Sequence, residues 1–108
     1  MVTVMVISRH TPEKCAFFNE ESAKTYIESM NKQKELEAKH GVKMVGGWNA
    51  HSEHLTVKVF EAPTFEAIQA FSMEPENVKI TSVDTQEVKI VMPLEEAAQI
   101  MMQMMQAK

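Results

Sequence analysis

The order of the apolar segments restricts the fold more than any other feature of the sequence. A strand-like run from Val2 to Ser8 precedes a long polar helix, and two further strand-like runs, Val42 to Trp48 and Leu55 to Glu61, are joined by a short polar loop. A second helix, another strand segment and a methionine-rich helix follow. This order, β-α-β-β-α-β with an extra C-terminal helix, predicts a single α+β domain.

Local stop and start signals place the first helices. Thr11 before Pro12 is typical of a short helical turn, because threonine caps helices well and proline is preferred at the first helical position. The main helix is predicted to begin near Asn19 or Glu20 and to end at His40. Gly41 then supplies the left-handed residue that often ends a helix.

The spacing of apolar residues within the main helix predicts which side faces the core. Ala23, Tyr26, Ile27 and Met30 share one face of a helix with 3.6 residues per turn. Leu36 lies about 180° from Ile27 on the same wheel. We therefore expect the first group to be buried and Leu36 to contact something else.

Proline and alternating apolar residues divide the second half of the chain. Pro63 is predicted to open the second helix and Pro75 to close it. The segment 78–92 is too long for one strand, so two strand pieces are expected, one at 78–80 and one at 88–92, with a turn or bulge at 84–85. Pro93 starts the last helix, and the chain divides into a core, 1–92, and a C-terminal helix, 93–108.

Composition excludes several classes of partner. The net charge is −4 and the chain has one arginine, so no basic stripe for nucleic acid exists. No apolar run approaches the roughly 20 residues of a membrane span. The N-terminal apolar run lacks a basic region before it, so we interpret it as a strand and not as a signal peptide. The single cysteine, Cys15, predicts a reducing cytoplasm.

Two apolar surfaces predict self-association. The strand from Val2 to Ile7 is apolar on both faces, and the chain has few helices to cover both, so we expect a homodimer. In the last helix Leu94, Ala97 and several methionines form an apolar arc of roughly 200°. Methionine is common at adaptable interfaces, so this helix is predicted to be an assembly element, not a metal site, and a higher oligomer stays open.

The element order and the doubly apolar sheet resemble the ferredoxin-like dimeric α+β barrel superfamily. That superfamily includes antibiotic-biosynthesis-type monooxygenases and YciI-like proteins. The stretches VISRHTPEKC and HGVKMVGGW, the latter followed by SEHL, are similar to a small uncharacterised prokaryotic group. The resemblance implies a homodimer in which two sheets pack face to face with helices outside. It implies no particular reaction, because these folds carry several unrelated chemistries.

Strand direction in the resembling fold also predicts at which end of the sheet each histidine lies. Taking the first and third strands as parallel neighbours puts His10 and Cys15 at one end of the sheet, near Glu61. The same assumption puts His51 and His54 at the other end. His10 and Cys15 are candidate catalytic residues, since a cysteine beside a histidine can be a thiolate nucleophile. A buried, unreactive cysteine is the alternative.

A second group of imidazole and carboxylate side chains is a candidate metal site. Its members are His40, His51, Glu53 and His54, which were all expected at one end of the sheet. Such ligands bind zinc, nickel, copper or iron. The superfamily contains an iron oxygenase with two histidines and a glutamate, but the histidine spacing differs here. Solvated loop histidines are the alternative.

Aromatic and polar residues near the two glycines are candidates for a small-molecule site. Trp48 and Asn49 end a strand that Gly46 and Gly47 weaken, and Phe60 lies on the next strand. A core or dimer-contact tryptophan is the alternative.

Three functions are compatible with these features. The first is a homodimeric protein that binds a small molecule or serves in assembly, without a catalytic motif. The second is a cofactor-independent monooxygenase-like enzyme with a cavity lined by Trp48, Phe60 and His10. The third is a metal-binding protein that uses His40, His51 and His54. No motif requires a cofactor.

Overall fold

The computed structural model describes residues 1–107 and contains one four-stranded sheet and four α-helices. The strands are β1 (Val2–Arg9), β2 (Lys43–Ala50), β3 (Leu55–Ala62) and β4 (Thr85–Val91). The helices are α1 (Glu20–His40), α2 (Phe65–Ser72), α3 (Pro75–Ile80) and α4 (Leu94–Gln106). Two 3-10 turns, Pro12–Lys14 and His51–Glu53, precede α1 and β3. The predicted α+β fold is confirmed.

Every neighbouring pair of strands in the sheet is antiparallel, in the order β2-β3-β1-β4. The assumed parallel pairing of the first and third strands is therefore wrong. The reason is topological: the β2–β3 connection reverses direction, and β3 then lies between β1 and β2. Arg9, the last residue of β1, consequently pairs with both Leu55 and Thr85, the first residues of β3 and β4.

Helices α1 and α2 pack on one face of the sheet and form the core with it, and α3 packs against these two helices. As predicted, α1 begins at Glu20 and ends before the left-handed Gly41, at φ 67°. Asn19 caps its start by accepting a hydrogen bond from the Ser22 backbone. The buried hydrophobic cluster contains the following residues: Val4, Leu36, Val42, Phe60, Ala62, Ile68 and Phe71.

The predicted core face of α1 is wrong. Leu36 is buried with Ser22, Ser29 and Gln33, whereas Ile27 is 57% exposed. Small and polar residues face the sheet here because their hydrogen bonds are satisfied inside. The Gln33 amide donates to Asn77 Oδ1 at 2.8 Å and thereby ties α1 to α3.

The second half of the chain differs from the sequence prediction at one element. Residues 75–80 form helix α3, not a strand, and Pro75 opens this helix instead of closing the previous one. Proline fits the first turn of a helix, where its missing N–H costs nothing. Ile80, the last residue of α3, and Val83, which follows the helix, are buried where the chain leads into β4.

The other face of the sheet has no helix packed on it within residues 1–107. The register puts Met5, Ile7 and Val57 on this face, together with Val59 and Trp48. The Trp48 side chain is 63% exposed, and its indole lies over Gly46, where a β-carbon would collide with it. We call this apolar surface the open face.

Helix α4 projects from the domain. None of its residues is buried, and it makes no extensive contact with another element of the described chain. Leu94 is 88% exposed, and Met101, Met104 and Met105 are also exposed. No described helix combines the length and the hydropathy needed to cross a membrane.

Candidate functional site

Three potential metal ligands from separate segments meet where β1 ends. His10 follows β1, Cys15 follows the first 3-10 turn, and His54 precedes β3. One donor atom from each lies within 4.8 Å of the other two. The prediction that His10 and Cys15 are remote from His54 is therefore wrong, because the antiparallel pairing of β1 with β3 brings the end of one strand to the start of the other.

The backbone fixes the two histidines of this cluster. The His10 amide donates to the His54 carbonyl oxygen at 3.2 Å and extends the β1–β3 ladder by one bond. His54 has φ 51° and ψ 47°, the left-handed conformation, and is the one non-glycine residue with positive φ in the range 1–107. Histidine tolerates this region better than most residues do, but glycine would be the ordinary choice for the turn.

The cysteine is held more deeply than the histidines. Cys15 is buried, with 1% of its surface exposed, and has no disulfide partner. Its carbonyl oxygen accepts hydrogen bonds from the Phe18 and Asn19 amides at 2.9 and 2.8 Å. The thiol therefore sits on a rigid turn directly before α1.

A buried acid lies beside the cluster. Asp84, which directly precedes β4, is 5% exposed and accepts a 2.7 Å hydrogen bond from the Tyr26 hydroxyl through Oδ2. Its Oδ1 atom is buried and has no partner with hydrogen-bond geometry in the described part of the chain, although the Gln86 side chain is near enough to lower the pKa of Asp84. Burial raises the pKa of Asp84, although the Tyr26 hydrogen bond and the Lys58 charge oppose this effect.

Burial also shifts the pKa values of groups near Asp84. Removal from water lowers the pKa of Lys58, and the charge of Asp84 partly opposes this shift. Burial, followed by the hydrogen bond to Asp84, raises the pKa of Tyr26. Burial and then the proximity of His54 lower the pKa of His10. Several shifted ionisable groups at one place are characteristic of functional sites, although structural networks also produce them.

An open cleft of about 400 Å³ gives access to this region. His10 and Asp84 are part of its wall, and Arg9 and Lys14 add positive charge. Arg9 is paired with Glu87 at 3.1 Å, while the Lys14 ammonium donates to the Ser82 carbonyl oxygen at 3.3 Å. We name this feature the β1-end cleft. It can accept a polar molecule but is too open to enclose one.

The predicted metal set does not converge. His40 lies at the C-terminal end of α1, where its Nε2 is 2.7 Å from Glu74, and Lys39 binds the same carboxylate at 2.8 Å. These hydrogen bonds lower the pKa of Glu74. His51 stacks edge-on against Phe17 with ring centroids 4.3 Å apart, and Glu53 is exposed.

The structure also does not bring together the residues of the expected aromatic cavity. Phe60 is buried on the helix side of the sheet, whereas Trp48 lies on the open face, so the two cannot line one cavity with His10. The Asn49 amide donates to Thr56 Oγ1 at 3.0 Å. Glu61 pairs with Thr3, at the opposite end of β1 from His10.

Tyr26, Lys58 and Asp84 were missed as site residues by the sequence reasoning. Their positions in the sequence are typical of ordinary structure. Tyr26 lies on a helix face, Lys58 is a polar residue of an alternating strand, and Asp84 lies in a turn. The one available signal was the polar run Thr81–Thr85 around Val83, which marks a loop between two apolar segments. Tyr26, Lys58 and Asp84 come together only through the order of the strands.

Comparisons with known proteins bear on the fold. No protein-family model matches the chain, and no curated protein matches it in sequence. A crystal structure of an antibiotic biosynthesis monooxygenase is similar with a TM-score of 0.61 and 12% identity, over 85% of this chain and 97% of that chain. The chain has a ferredoxin-like fold.

A second solved structure supports the same assignment. An uncharacterized NIPSNAP domain protein from Burkholderia xenovorans has a TM-score of 0.55 and 16% identity, over 86% of this chain and 94% of that chain. At such identities the likeness concerns the fold alone. The structural resemblance inferred from the sequence is thus confirmed, and the chemistry of this ferredoxin-like protein has to be argued from its own residues.

Proposed function

We propose that this protein is a homodimer that binds a small polar molecule in the β1-end cleft and needs no cofactor to do so. The observation that carries the proposal is Asp84, a carboxylate at the wall of the cleft with one buried oxygen that accepts no hydrogen bond from the described chain. Leaving such an acceptor unsatisfied costs about 1–3 kcal/mol. A bound donor group that displaces the atoms covering this oxygen would recover that cost.

The chemistry of the cleft specifies the kind of ligand. Asp84 offers an acceptor on the inner side, held in place by Tyr26, and Lys14 offers a positive charge at the rim. A molecule with a hydroxyl or amine at one end and an anionic group at the other satisfies both. The bound molecule would stay partly exposed, because the cleft is open.

The open face supports the homodimer. It exposes an apolar sheet surface that includes Ile7, Val57 and Trp48, and monomeric proteins seldom leave such a surface in water. We propose that two open faces pack together, with helices on the outside of the pair. We also propose that neither nucleic acid nor a membrane is a partner, since the net charge is −4 and no apolar run approaches the length of a membrane span.

A reducing compartment, the cytoplasm, suits the site. Cys15 is a free, buried thiol beside His10 and His54, and free thiols persist in reducing compartments. No sequence motif and no group of side chains in the described residues assigns a catalytic step. The proposed function is therefore binding.

Ligand-observed NMR with a library of small hydroxy acids, amino acids and phosphate monoesters tests the proposal. Experiments in the presence of a metal chelator keep the outcome independent of metal ions. We expect at least one compound to bind, and Asp84→Asn to weaken that binding by about tenfold, the value of one hydrogen bond to a charged group.

A matched control uses a distant carboxylate. Glu95→Gln removes an exposed acid from the first turn of α4 and should leave binding unchanged. Equal affinity of the wild type and Asp84→Asn for every compound that binds would show that the β1-end cleft is not the binding site.

A further inference from the structure

The two ring nitrogens of the cluster are placed as ligands of one metal ion would be. His10 Nε2 and His54 Nδ1 are 3.3 Å apart. Two nitrogens that each lie about 2.05 Å from one tetrahedral zinc ion are about 3.3 Å apart. The same distance also fits an N–H···N hydrogen bond between the rings, so the spacing alone does not choose between an ion and a shared proton.

The cysteine supplies a third ligand on the same side. Its Sγ lies within 4.8 Å of one ring nitrogen of each histidine. Zinc with a sulfur at about 2.3 Å needs sulfur–nitrogen separations of about 3.6 Å. A closing movement of about 1.2 Å at most, shared among the three side chains, would complete the site.

The backbone around the cluster is arranged before any ion binds. The amide-to-carbonyl bond from His10 to His54 fixes the two residues relative to each other, and the turn before α1 fixes Cys15. His54 adopts the left-handed conformation in which glycine would be the easier choice. A function of the imidazole would explain why histidine occupies this position.

We propose that His10 Nε2, Cys15 Sγ and His54 Nδ1 bind a zinc ion, with a fourth position open to the β1-end cleft. Two neutral imidazoles and one thiolate form a ligand set of the type that zinc prefers, and three protein ligands with one free position are typical of non-structural zinc sites. On binding, the Cys15 thiol loses its proton to solvent, the S–H bond is replaced by an S–Zn bond, and no electron is transferred.

This inference does not depend on the small-molecule proposal. Asp84 is outside the three-residue cluster, and zinc binding requires nothing from it. The site also differs from the metal set predicted from the sequence, since it contains neither His40 nor His51. It explains why a cysteine and two histidines from three segments are gathered at one strand end.

Metal titration of the full chain tests the zinc site. Protein purified under reducing conditions and stripped with a chelator should bind one Zn²⁺ per chain in competition with a chromophoric chelator. Co²⁺ in place of Zn²⁺ should give the near-ultraviolet charge-transfer absorption of a thiolate–cobalt bond. Fewer than one Zn²⁺ per chain, or a Co²⁺ complex without that absorption, would overturn the proposal whatever the variants do.

Variants assign the ligands. Cys15→Ser, His10→Gln and His54→Asn should each weaken Zn²⁺ binding by at least about 100-fold, because even partners in the outer shell of a metal are worth 10- to 100-fold. Asparagine is chosen at position 54 since it tolerates the left-handed conformation. His51→Gln is the matched control, with its ring centroid 6.4 Å from that of His54, and should bind zinc normally.

The same variants separate the two proposals. Asp84→Asn should keep one Zn²⁺ per chain even where it loses the small molecule. If His51→Gln weakened zinc binding as much as His54→Asn, the ligand assignment would be wrong. If zinc bound as expected and no small molecule did, only the binding function would fail.

Discussion

At the scale of single residues, Asp84 gives the protein a definite pH dependence. Burial raises its pKa, so the folded state holds this proton more tightly than the unfolded chain does. That contribution to stability is complete below the ordinary aspartate pKa of about 3.9 and is lost as the pH rises through the higher folded-state value. We expect the wild type to lose stability relative to Asp84→Asn between about pH 4 and pH 7.

Urea unfolding of both proteins at the two pH values measures this difference. Most other groups titrate alike in the two proteins and cancel, while Lys58 and His10, which feel the Asp84 charge, are the exceptions. A stability difference that is constant with pH would contradict burial of the charge. A difference of opposite sign would mean that the ionised form is the one stabilised by folding.

At the scale of elements, α4 is the helix that makes no extensive contact with the rest of the described chain. Leu94, Met101 and Met105 are exposed, and burying each would stabilise an assembly by about 1.5–3 kcal/mol. We expect deletion of residues 94–108 to leave the sheet and the other helices folded but to reduce the mass of the oligomer. Light scattering gives the mass, and far-ultraviolet circular dichroism reports the remaining secondary structure.

A substitution control separates the apolar arc from the presence of the helix. Met101→Gln with Met105→Gln keeps good helix formers while removing apolar surface, and should reproduce the effect of the deletion on mass. An unchanged oligomer and an unchanged melting temperature after deletion would mean that α4 has no role in assembly.

At the scale of the whole molecule, the open face predicts the dimer interface. Val57 lies near the middle of this face, opposite Ile7 on β1 and Trp48 on β2. Val57→Lys should weaken the dimer by at least about 100-fold, because a buried unpaired charge costs several kcal/mol. Sedimentation at micromolar concentration should show a dimer for the wild type and a monomer for this variant.

The matched control places the same charge on the other side of the protein. Ile27 is an exposed aliphatic residue on α1, away from the open face, so Ile27→Lys should remain dimeric. A wild type that is monomeric at micromolar concentration would contradict the dimer altogether. A stable interface of this kind buries more than about 1,200 Å² in total.

The sequence by itself determined the elements whose signals are local. Asn19 and Gly41 bound α1 because a cap and a left-handed glycine act within one helical turn. Pro12 opens a short turn for the same reason. Strand alternation correctly predicted β1, β2 and β3, and their order predicted the α+β fold. The local signals failed at 75–80, where Pro75 opens a helix instead of closing one and an apolar pair spaced by two residues is too short to distinguish a strand from a helix.

The tertiary structure alone decided which surfaces and side chains meet. The buried side of α1 follows from what it packs against, so Leu36 is inside while the more apolar face, with Ile27, is outside. The site depends on strand direction: β3 runs against β1, and His54 therefore lies beside His10 instead of at the far end. Capping and alternation act over a few residues, whereas contacts between positions 10, 54 and 84 require the whole chain to be folded.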